Sequence, residues 1–121
     1  MSDFNVLSVD DSQYIREIVT QTLKTNSRYS VLQAVNGSDA LQVIKDNFIH
    51  LVITDINMPV MDGVTFIKEA RKLYPTLPII VLTTESGDSL KKEGMDNGAN
   101  GWIIKPFRPV QLLTLVKEIL E

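Results

Sequence analysis

Short apolar runs and helical patterns alternate along the chain. The runs are rich in Val, Ile and Leu, and most lack strict alternation, which is typical of strands buried on both faces of a parallel sheet. After each run, apolar residues recur at helical spacing. The predicted strands cover residues 4–9, 30–35, 49–53, 78–82 and 101–104. Five strands that alternate with five helices predict an α/β fold, with helices on both faces of the sheet and right-handed crossovers.

The predicted helices differ in how well the sequence specifies them. Four have a clear apolar stripe, and their predicted inward residues are Ile15, Ile18, Val19 and Leu23; Leu41, Ile44 and Phe48; Phe66, Ile67, Ala70, Leu73 and Tyr74; and Leu112, Leu113, Leu115, Val116, Ile119 and Leu120. The remaining helix, at about residues 86–97, contains Gly87 and Gly94 and has Leu90 and Met95 as anchors. An interior glycine costs a helix roughly 1 kcal/mol relative to alanine. We therefore expect this helix to be the loosest of the domain.

The composition narrows the class of protein. The chain has 121 residues, of which 44% are hydrophobic and 22% charged, as in one compact globular domain. A formal net charge of −3 gives no electrostatic footprint for nucleic acid, and the absence of cysteine excludes disulfides and thiol chemistry. The sequence shows no signal peptide and no apolar run of about 20 residues. We therefore expect a cytoplasmic protein, not inserted in a membrane, that forms a single domain over residues 1–121 with no output domain.

Polar side chains follow the buried strands at the points where the strands end. Asp10 and Asp11 follow the first strand, Asp55 the third, Thr83 the fourth and Lys105 the fifth. Each has an ordinary alternative role, as a helix cap, a turn residue or a solvated loop charge. In a parallel sheet, however, the carboxyl ends of the strands lie at one edge, which is where such sheets bind ligands. We therefore expect these five side chains to form one site.

The residue types at this edge indicate phosphoryl chemistry. Two carboxylates about 5 Å apart repel by roughly 3 kcal/mol at an effective dielectric near 20, so three of them need a cation. Oxygen ligands without His or Cys favour Mg²⁺, with Asp10 and Asp11 as ligands. Asp55, alone at its strand end, is the candidate nucleophile that would form an aspartyl phosphate. Mg²⁺, Lys105 and Thr83 would neutralise the oxygens of the phosphoryl group.

The motifs of the chain resemble those of a known family. They are Val9-Asp10-Asp11-Ser12, the stretch from Thr54 to Gly63 with the sequence TDINMPVMDG, Thr83, and Lys105-Pro106-Phe107, in this order. The whole chain resembles the response-regulator receiver domains of two-component signalling, of the stand-alone, CheY-like chemotaxis type. The resemblance implies a flavodoxin-like (βα)5 fold, a doubly wound five-stranded parallel sheet with strand order 2-1-3-4-5.

The resemblance also implies roles for the residues of the site. Asp55 would accept phosphate from a CheA-like histidine kinase. Mg²⁺ would be held by Asp10 or Asp11, by Asp55 and by the backbone carbonyl of Asn57. Lys105 would contact the acyl phosphate and would precede a cis-proline.

Further expectations follow from the resemblance. Thr83 corresponds to the switch hydroxyl, which would move to the new phosphate. Trp102 stands where the family's switch aromatic is commonly Tyr or Phe, and its larger indole leaves the two-rotamer mechanism open. Thr84 stands where a small residue is usual beside the phosphate. Asn57 and Glu85 would tune the attacking water.

Several functions remain open on the sequence alone. With no output domain, the signal would leave by binding an output protein, either a flagellar motor switch or another signalling protein. A monomer is expected, with a dimer on phosphorylation as the alternative, and the protein would be a regulatory phosphoacceptor and not an enzyme. The alternatives are a phosphorelay or phosphate-sink receiver and a Mg²⁺-dependent aspartyl-phosphate phosphohydrolase. The phosphohydrolase would need a second Asp where Asn57 stands. An FMN binder of the same topology is disfavoured, because Asp10 and Asp11 would repel its phosphate.

Overall fold

The computed structural model describes residues 3–121, in which five strands alternate with five helices. The strands are β1 (Phe4–Val9), β2 (Tyr29–Ala34), β3 (Leu51–Thr54), β4 (Ile79–Thr83) and β5 (Gly101–Ile104). The helices are α1 (Gln13–Lys24), α2 (Gly37–Asp46), α3 (Gly63–Leu73), α4 (Asp88–Asp96) and α5 (Pro109–Leu120). The alternation predicted from the apolar pattern is confirmed, and every helix lies within a few residues of its predicted position.

The strands form one parallel sheet in the order β2-β1-β3-β4-β5, which confirms the flavodoxin-like doubly wound topology. Two apolar clusters cover its faces. One packs residues of α2 and α3, such as Ile44 and Phe66, against Val52 and Val81 of the sheet. The other packs α1 and α5 against the opposite face. The inner strands β3 and β4 are buried along their whole length, because helices cover both of their faces.

The loops that follow β1, β2 and β3 each supply a side chain that begins the next helix. The Ser12 hydroxyl accepts a hydrogen bond from the Ile15 N–H, the Asn36 side chain from the Asp39 N–H, and the Asp62 carboxylate from the Thr65 N–H. These are N-caps, and each one satisfies an amide that the first helical turn leaves without a partner. Because the caps fix where α1 and α3 begin, they also fix the loops that carry Asp11 and Asn57.

Some of the predicted inward positions are wrong. The helical spacing predicts Phe48 in the buried stripe of α2, but that helix ends at Asp46 and the Phe48 side chain is 74% exposed. The backbone carbonyl of Phe48 accepts a hydrogen bond from the Asn5 side chain, and its ring packs against His50 with 4.7 Å between centroids. Three other residues predicted to point inward are also exposed. Leu73 and Tyr74 at the end of α3, and Met95 of α4, are each more than a third exposed.

Candidate functional site

The side chains that follow β1, β3 and β5 meet at the carboxyl edge of the sheet. The Lys105 ammonium lies 2.7 Å from Oδ2 of Asp10 and 3.2 Å from Oδ2 of Asp55. Asp11 stands beside them at the surface, and oxygens of Asp10, Asp11 and Asp55 lie within 4.8 Å of one another. The structure therefore brings together the three carboxylates and the ammonium that the sequence predicts at this edge of the sheet.

Backbone amides hold the two buried carboxylates in place. Oδ1 of Asp55 accepts a hydrogen bond of 2.7 Å from the Ile56 N–H, and Oδ1 of Asp10 accepts one of 2.9 Å from the Ser12 N–H. In both residues Oδ2 faces Lys105. The second oxygen of each carboxylate is thus directed to the shared centre of the site, and the first is used to orient the group.

Gly63, the first residue of α3, lets the helix approach the backbone of the site closely. Its N–H donates to the Ile56 carbonyl at 2.8 Å, and a Cβ added to it would lie 2.2 Å from the Asp55 carbonyl oxygen. No side chain can be accommodated at that distance, so this position requires glycine. No local pattern of the sequence indicates this requirement, because the neighbour that forbids a side chain lies eight residues earlier.

The electrostatics of the site favour a cation. Burial raises the pKa of the Asp10 carboxyl above its ordinary value, and this effect outweighs the opposing effects of the Lys105 ammonium and the Ser12 N–H. Three carboxylates with one ammonium leave a net negative charge, and every one of the clustered donors is a hard oxygen. This donor set fits a divalent cation such as Mg²⁺, which takes carboxylate, carbonyl and water oxygens.

Thr83 and Glu85 lie at the adjacent strand end, after β4. Thr83 is fully buried, and its hydroxyl accepts a hydrogen bond of 3.3 Å from the Glu85 N–H. The Glu85 carboxylate in turn accepts a hydrogen bond of 2.6 Å from the Asn57 side chain, which joins the β4–α4 loop to the β3–α3 loop. Thr84 is exposed next to Thr83.

Trp102 of β5 packs towards α4 and not away from it. Its indole N–H donates to the Glu85 carbonyl at 3.1 Å. Its ring lies so close to Gly94 of α4 that a Cβ there would come within 2.8 Å of the indole Cζ3. The sequence pattern marks Gly94 only as an interior glycine that weakens its helix, because the reason for that glycine is a side chain on another element.

Two further features surround the site. Arg16 of α1 donates to the Asp10 carbonyl at 2.7 Å, a contact that no sequence motif indicated. The peptide bond between Lys105 and Pro106 is cis, as the resemblance implied.

A cavity of about 710 Å³ between Phe48 and Tyr74 lies at the opposite edge of the sheet and takes no part in this site. Within residues 3–121, each helix is too short or too polar to cross a membrane.

Comparison with known proteins assigns the family. The family described as the response regulator receiver domain matches residues 6–117. The "Chemotaxis protein CheY homolog" of Campylobacter jejuni is 36% identical over 118 residues, which cover 95% of this chain and 91% of that protein. The structure of the Vibrio cholerae chemotaxis protein CheY4 has a TM-score of 0.91 at 40% identity, and the alignment covers 98% of this chain and 100% of that one.

A third relative comes from a solved assembly. The CheX-CheY-BeF3-Mg²⁺ complex of Borrelia burgdorferi contains a chain with a TM-score of 0.91 at 28% identity, aligned over 98% of this chain and 90% of that one. The family match covers most of the chain, and the CheY relatives agree with it in sequence and in fold. The chain therefore belongs to the response regulator receiver domains, of the CheY-like type.

Proposed function

We propose that this chain is a phosphorylation-activated signalling switch in which Asp55 accepts a phosphoryl group from a histidine kinase. The supporting observation is the arrangement around Lys105, whose ammonium contacts both Asp10 and Asp55 while Asp11 stands within 4.8 Å of both. This arrangement combines a fixed nucleophile, a cation and two further carboxylates. It is the set of groups that phosphoryl transfer to a carboxylate requires.

The transfer is a displacement at phosphorus. Oδ2 of Asp55 attacks the phosphorus of a phosphohistidine, and the new O–P bond forms as the P–N bond breaks. The leaving imidazole nitrogen keeps the electron pair of the broken bond and takes up a proton from solvent. Oδ1 stays hydrogen-bonded to the Ile56 N–H, so the carboxylate keeps its orientation during the attack.

Lys105 and Thr83 neutralise the charge that arrives with the phosphoryl group. A phosphoryl group adds about −1.5 to −2 charges at neutral pH. The Lys105 ammonium already lies 3.2 Å from Asp55 and can follow the new oxygens without a change of backbone. The Thr83 hydroxyl can turn towards them, which would remove its hydrogen bond from the Glu85 N–H.

Asp10, Asp11 and Asp55, with the backbone carbonyl of Asn57, would hold Mg²⁺. The ion would supply the positive charge that lets an anionic carboxylate approach an anionic phosphoryl group. The Asp10 carboxylate is already oriented by the Ser12 N–H, and Asp11 is open to solvent. Both observations suit ligands that a hydrated ion can reach.

The relatives indicate the kind of pathway. Two CheY-type proteins at 36% and 40% identity support a chemotaxis-like pathway with a CheA-like kinase as donor. The CheX-CheY assembly of Borrelia burgdorferi supports an output through protein–protein binding. We take the protein to be a regulatory phosphoacceptor whose output partner is a motor-switch or other signalling protein.

The decisive experiment is intact-mass measurement after incubation with acetyl phosphate and Mg²⁺. We expect one added phosphoryl group on the unmodified chain and no adduct on Asp55→Asn. The matched control is Asp62→Asn, which makes the same chemical change seven residues away and keeps a good N-cap. An adduct on Asp55→Asn would move the acceptor elsewhere, and multiple turnover of a small phosphomonoester would favour the phosphohydrolase.

The metal ligands are tested by thermal unfolding at increasing Mg²⁺ concentrations. Because a ligand stabilises the state that binds it, Mg²⁺ at a hundred times its dissociation constant should add about 2.7 kcal/mol to the free energy of unfolding. We expect Asp10→Asn to lose this stabilisation and Asp62→Asn to keep it. Equal shifts in all three proteins would contradict the assignment of Asp10.

A further inference from the structure

Trp102 is held by groups of the polypeptide on two sides. Its indole N–H donates to the backbone carbonyl of Glu85, and its six-membered ring lies against the backbone of Gly94. The indole is half-buried, and the partner of its N–H is a main-chain carbonyl of the β4–α4 loop. None of these contacts uses an oxygen of Asp55.

Gly94 has no backbone reason to be glycine. It lies inside α4, where glycine is a poor helix former compared with alanine, and its φ is outside the left-handed region. A Cβ at this position would come within 2.8 Å of the Trp102 ring, closer than side chains approach one another. The glycine therefore serves the indole, and α4 gives up helix propensity to make room for it.

Glu85 connects this packing to the site. Its N–H donates to the Thr83 hydroxyl, its carbonyl accepts from Trp102, and its carboxylate accepts from Asn57. The carbonyl bond is independent of the other two, because it uses a different atom. A movement of the Thr83 hydroxyl would release the Glu85 N–H and leave the Trp102 bond intact.

The far end of α4 is also anchored. The Arg71 guanidinium of α3 donates to the Gly98 carbonyl and to the Asn100 side chain, both just beyond the end of α4. Gly94 lies between this anchor and the uncapped start of the helix. The part of α4 over the indole therefore belongs to the anchored half of the helix.

We propose that Trp102 is a fixed wedge between α4 and β5, held by Gly94 and Glu85 in both the unphosphorylated and the phosphorylated protein. This inference rests on the proposed phosphorylation of Asp55, and it specifies how that signal leaves the site. The surface formed by α4 and β5 has the same shape in both states. Phosphorylation changes the hydrogen bonds that Glu85 makes with Thr83 and Asn57, and the position of Trp102 stays the same.

Trp102 is the one tryptophan of the sequence, so its fluorescence reports its own environment. We would measure the emission maximum and iodide quenching with and without beryllofluoride and Mg²⁺. The variants are Gly94→Ala, which places a methyl group against the indole, and Gly87→Ala. The latter is a matched control, because a Cβ on Gly87 would meet no described atom within 4 Å.

We expect the unmodified chain to give the same emission maximum and quenching constant with and without beryllofluoride. Gly94→Ala should shift the emission to longer wavelength and raise the quenching constant, and Gly87→Ala should match the unmodified chain. A change in the unmodified chain on beryllofluoride binding would overturn the inference, and so would a Gly94→Ala spectrum identical to that of Gly87→Ala.

A second signal in the same samples separates this inference from the function on which it rests. The fluorine NMR resonance of bound beryllofluoride should appear with the unmodified chain and be absent with Asp55→Asn. If it fails to appear in the unmodified chain, the proposed phosphorylation site is overturned. The untreated Gly94→Ala and Gly87→Ala spectra still decide whether Gly94 holds the indole.

Discussion

Helices α3 and α4 flank the same side of the site, yet they are built very differently. Helix α3 begins at the Asp62 cap and buries five of its residues, Gly63, Val64, Phe66, Ile67 and Ala70. Helix α4 begins after Gly87, receives no side-chain cap from residues 3–121, and its buried residue is Gly94. The sequence-based expectation that α4 is the loosest helix agrees with these differences.

Helices α3 and α4 therefore have different roles beside the site. Helix α3 fixes the loop that carries Asp55 and Asn57, because its first residue packs directly on the Asp55 backbone. The residues of α4 contribute little to its stability, and two side chains from other elements, Trp102 and Arg71, hold the helix in place. The contrast therefore places a helix that is stable through its own buried residues under the nucleophile, and beside it a helix whose position depends on side chains of other elements.

Removal of Arg71 should weaken the connection between the two helices most. Its guanidinium donates to the carbonyls of Tyr74, Leu77 and Gly98 and to the Asn100 side chain, and Arg71→Met removes all of these bonds while keeping an apolar stem. Charged hydrogen bonds are each worth about 1.5–3 kcal/mol, but Arg71 is only half-buried and water can replace part of its bonding, so we expect a net loss of roughly 3 kcal/mol in the free energy of unfolding by urea.

The matched control for this prediction is Lys72→Met. Lys72 is the next residue of α3, and its exposed side chain pairs with Glu69 at the surface. This variant should stay within about 0.5 kcal/mol of the unmodified chain. If both variants lost the same stability, the carbonyls bonded by Arg71 would not be what joins α3 to the α4–β5 loop.

Hydrogen exchange should show the contrast directly. The amides of α3 that bond within the helix should open only with the core, whereas those in the first turns of α4 should open locally. We expect the α4 amides to exchange at least about tenfold faster, which corresponds to about 1.4 kcal/mol in opening free energy. Equal protection in the two helices would contradict the assignment of α4 as the weaker element.

The parts predictable from sequence are those with local or periodic causes. The strand ends with Asp10, Asp55, Thr83 and Lys105 could be brought together in advance, because parallel strands share one carboxyl edge. The Asp62 cap has a local cause as well, because its carboxylate bonds to the Thr65 N–H only three residues later. The order of the strands was not derivable from the apolar pattern and came with the family resemblance.

The parts that escaped prediction depend on contacts between distant residues. Gly94 is explained by the ring of Trp102 on another strand, and Gly63 by the backbone of Asp55. Phe48 keeps the helical spacing of its neighbours, but its helix has already ended at Asp46. A periodic pattern does not contain its own end point, so it predicts Phe48 in the core although the residue lies at the surface.

The Asp62 cap should be worth about 1 kcal/mol to α3. Asp62→Ala removes the acceptor for the Thr65 N–H, which bonds to it at 2.8 Å, and the usual cost of such a change is about 0.5–2 kcal/mol. Asp62→Asn should restore most of the stability, because asparagine caps equally well. Urea midpoints of the three proteins test this order, and an alanine variant as stable as the asparagine variant would show that α3 does not depend on its cap.

The smallest effect should come from giving α4 the cap that it lacks. Gly87 has the extended backbone of an N-cap, with φ −66° and ψ 133°, so serine can adopt its conformation without strain. Gly87→Ser supplies a hydroxyl for the first turn of α4, and the gain over glycine is only a few tenths of a kcal/mol. The same change should slow exchange of the first α4 amides and leave those of α3 unaltered, because the cap acts within one turn. A stabilisation spread equally over both helices would mean that α3 and α4 open as one unit, and the contrast between a strongly and a weakly stabilised helix would then be wrong.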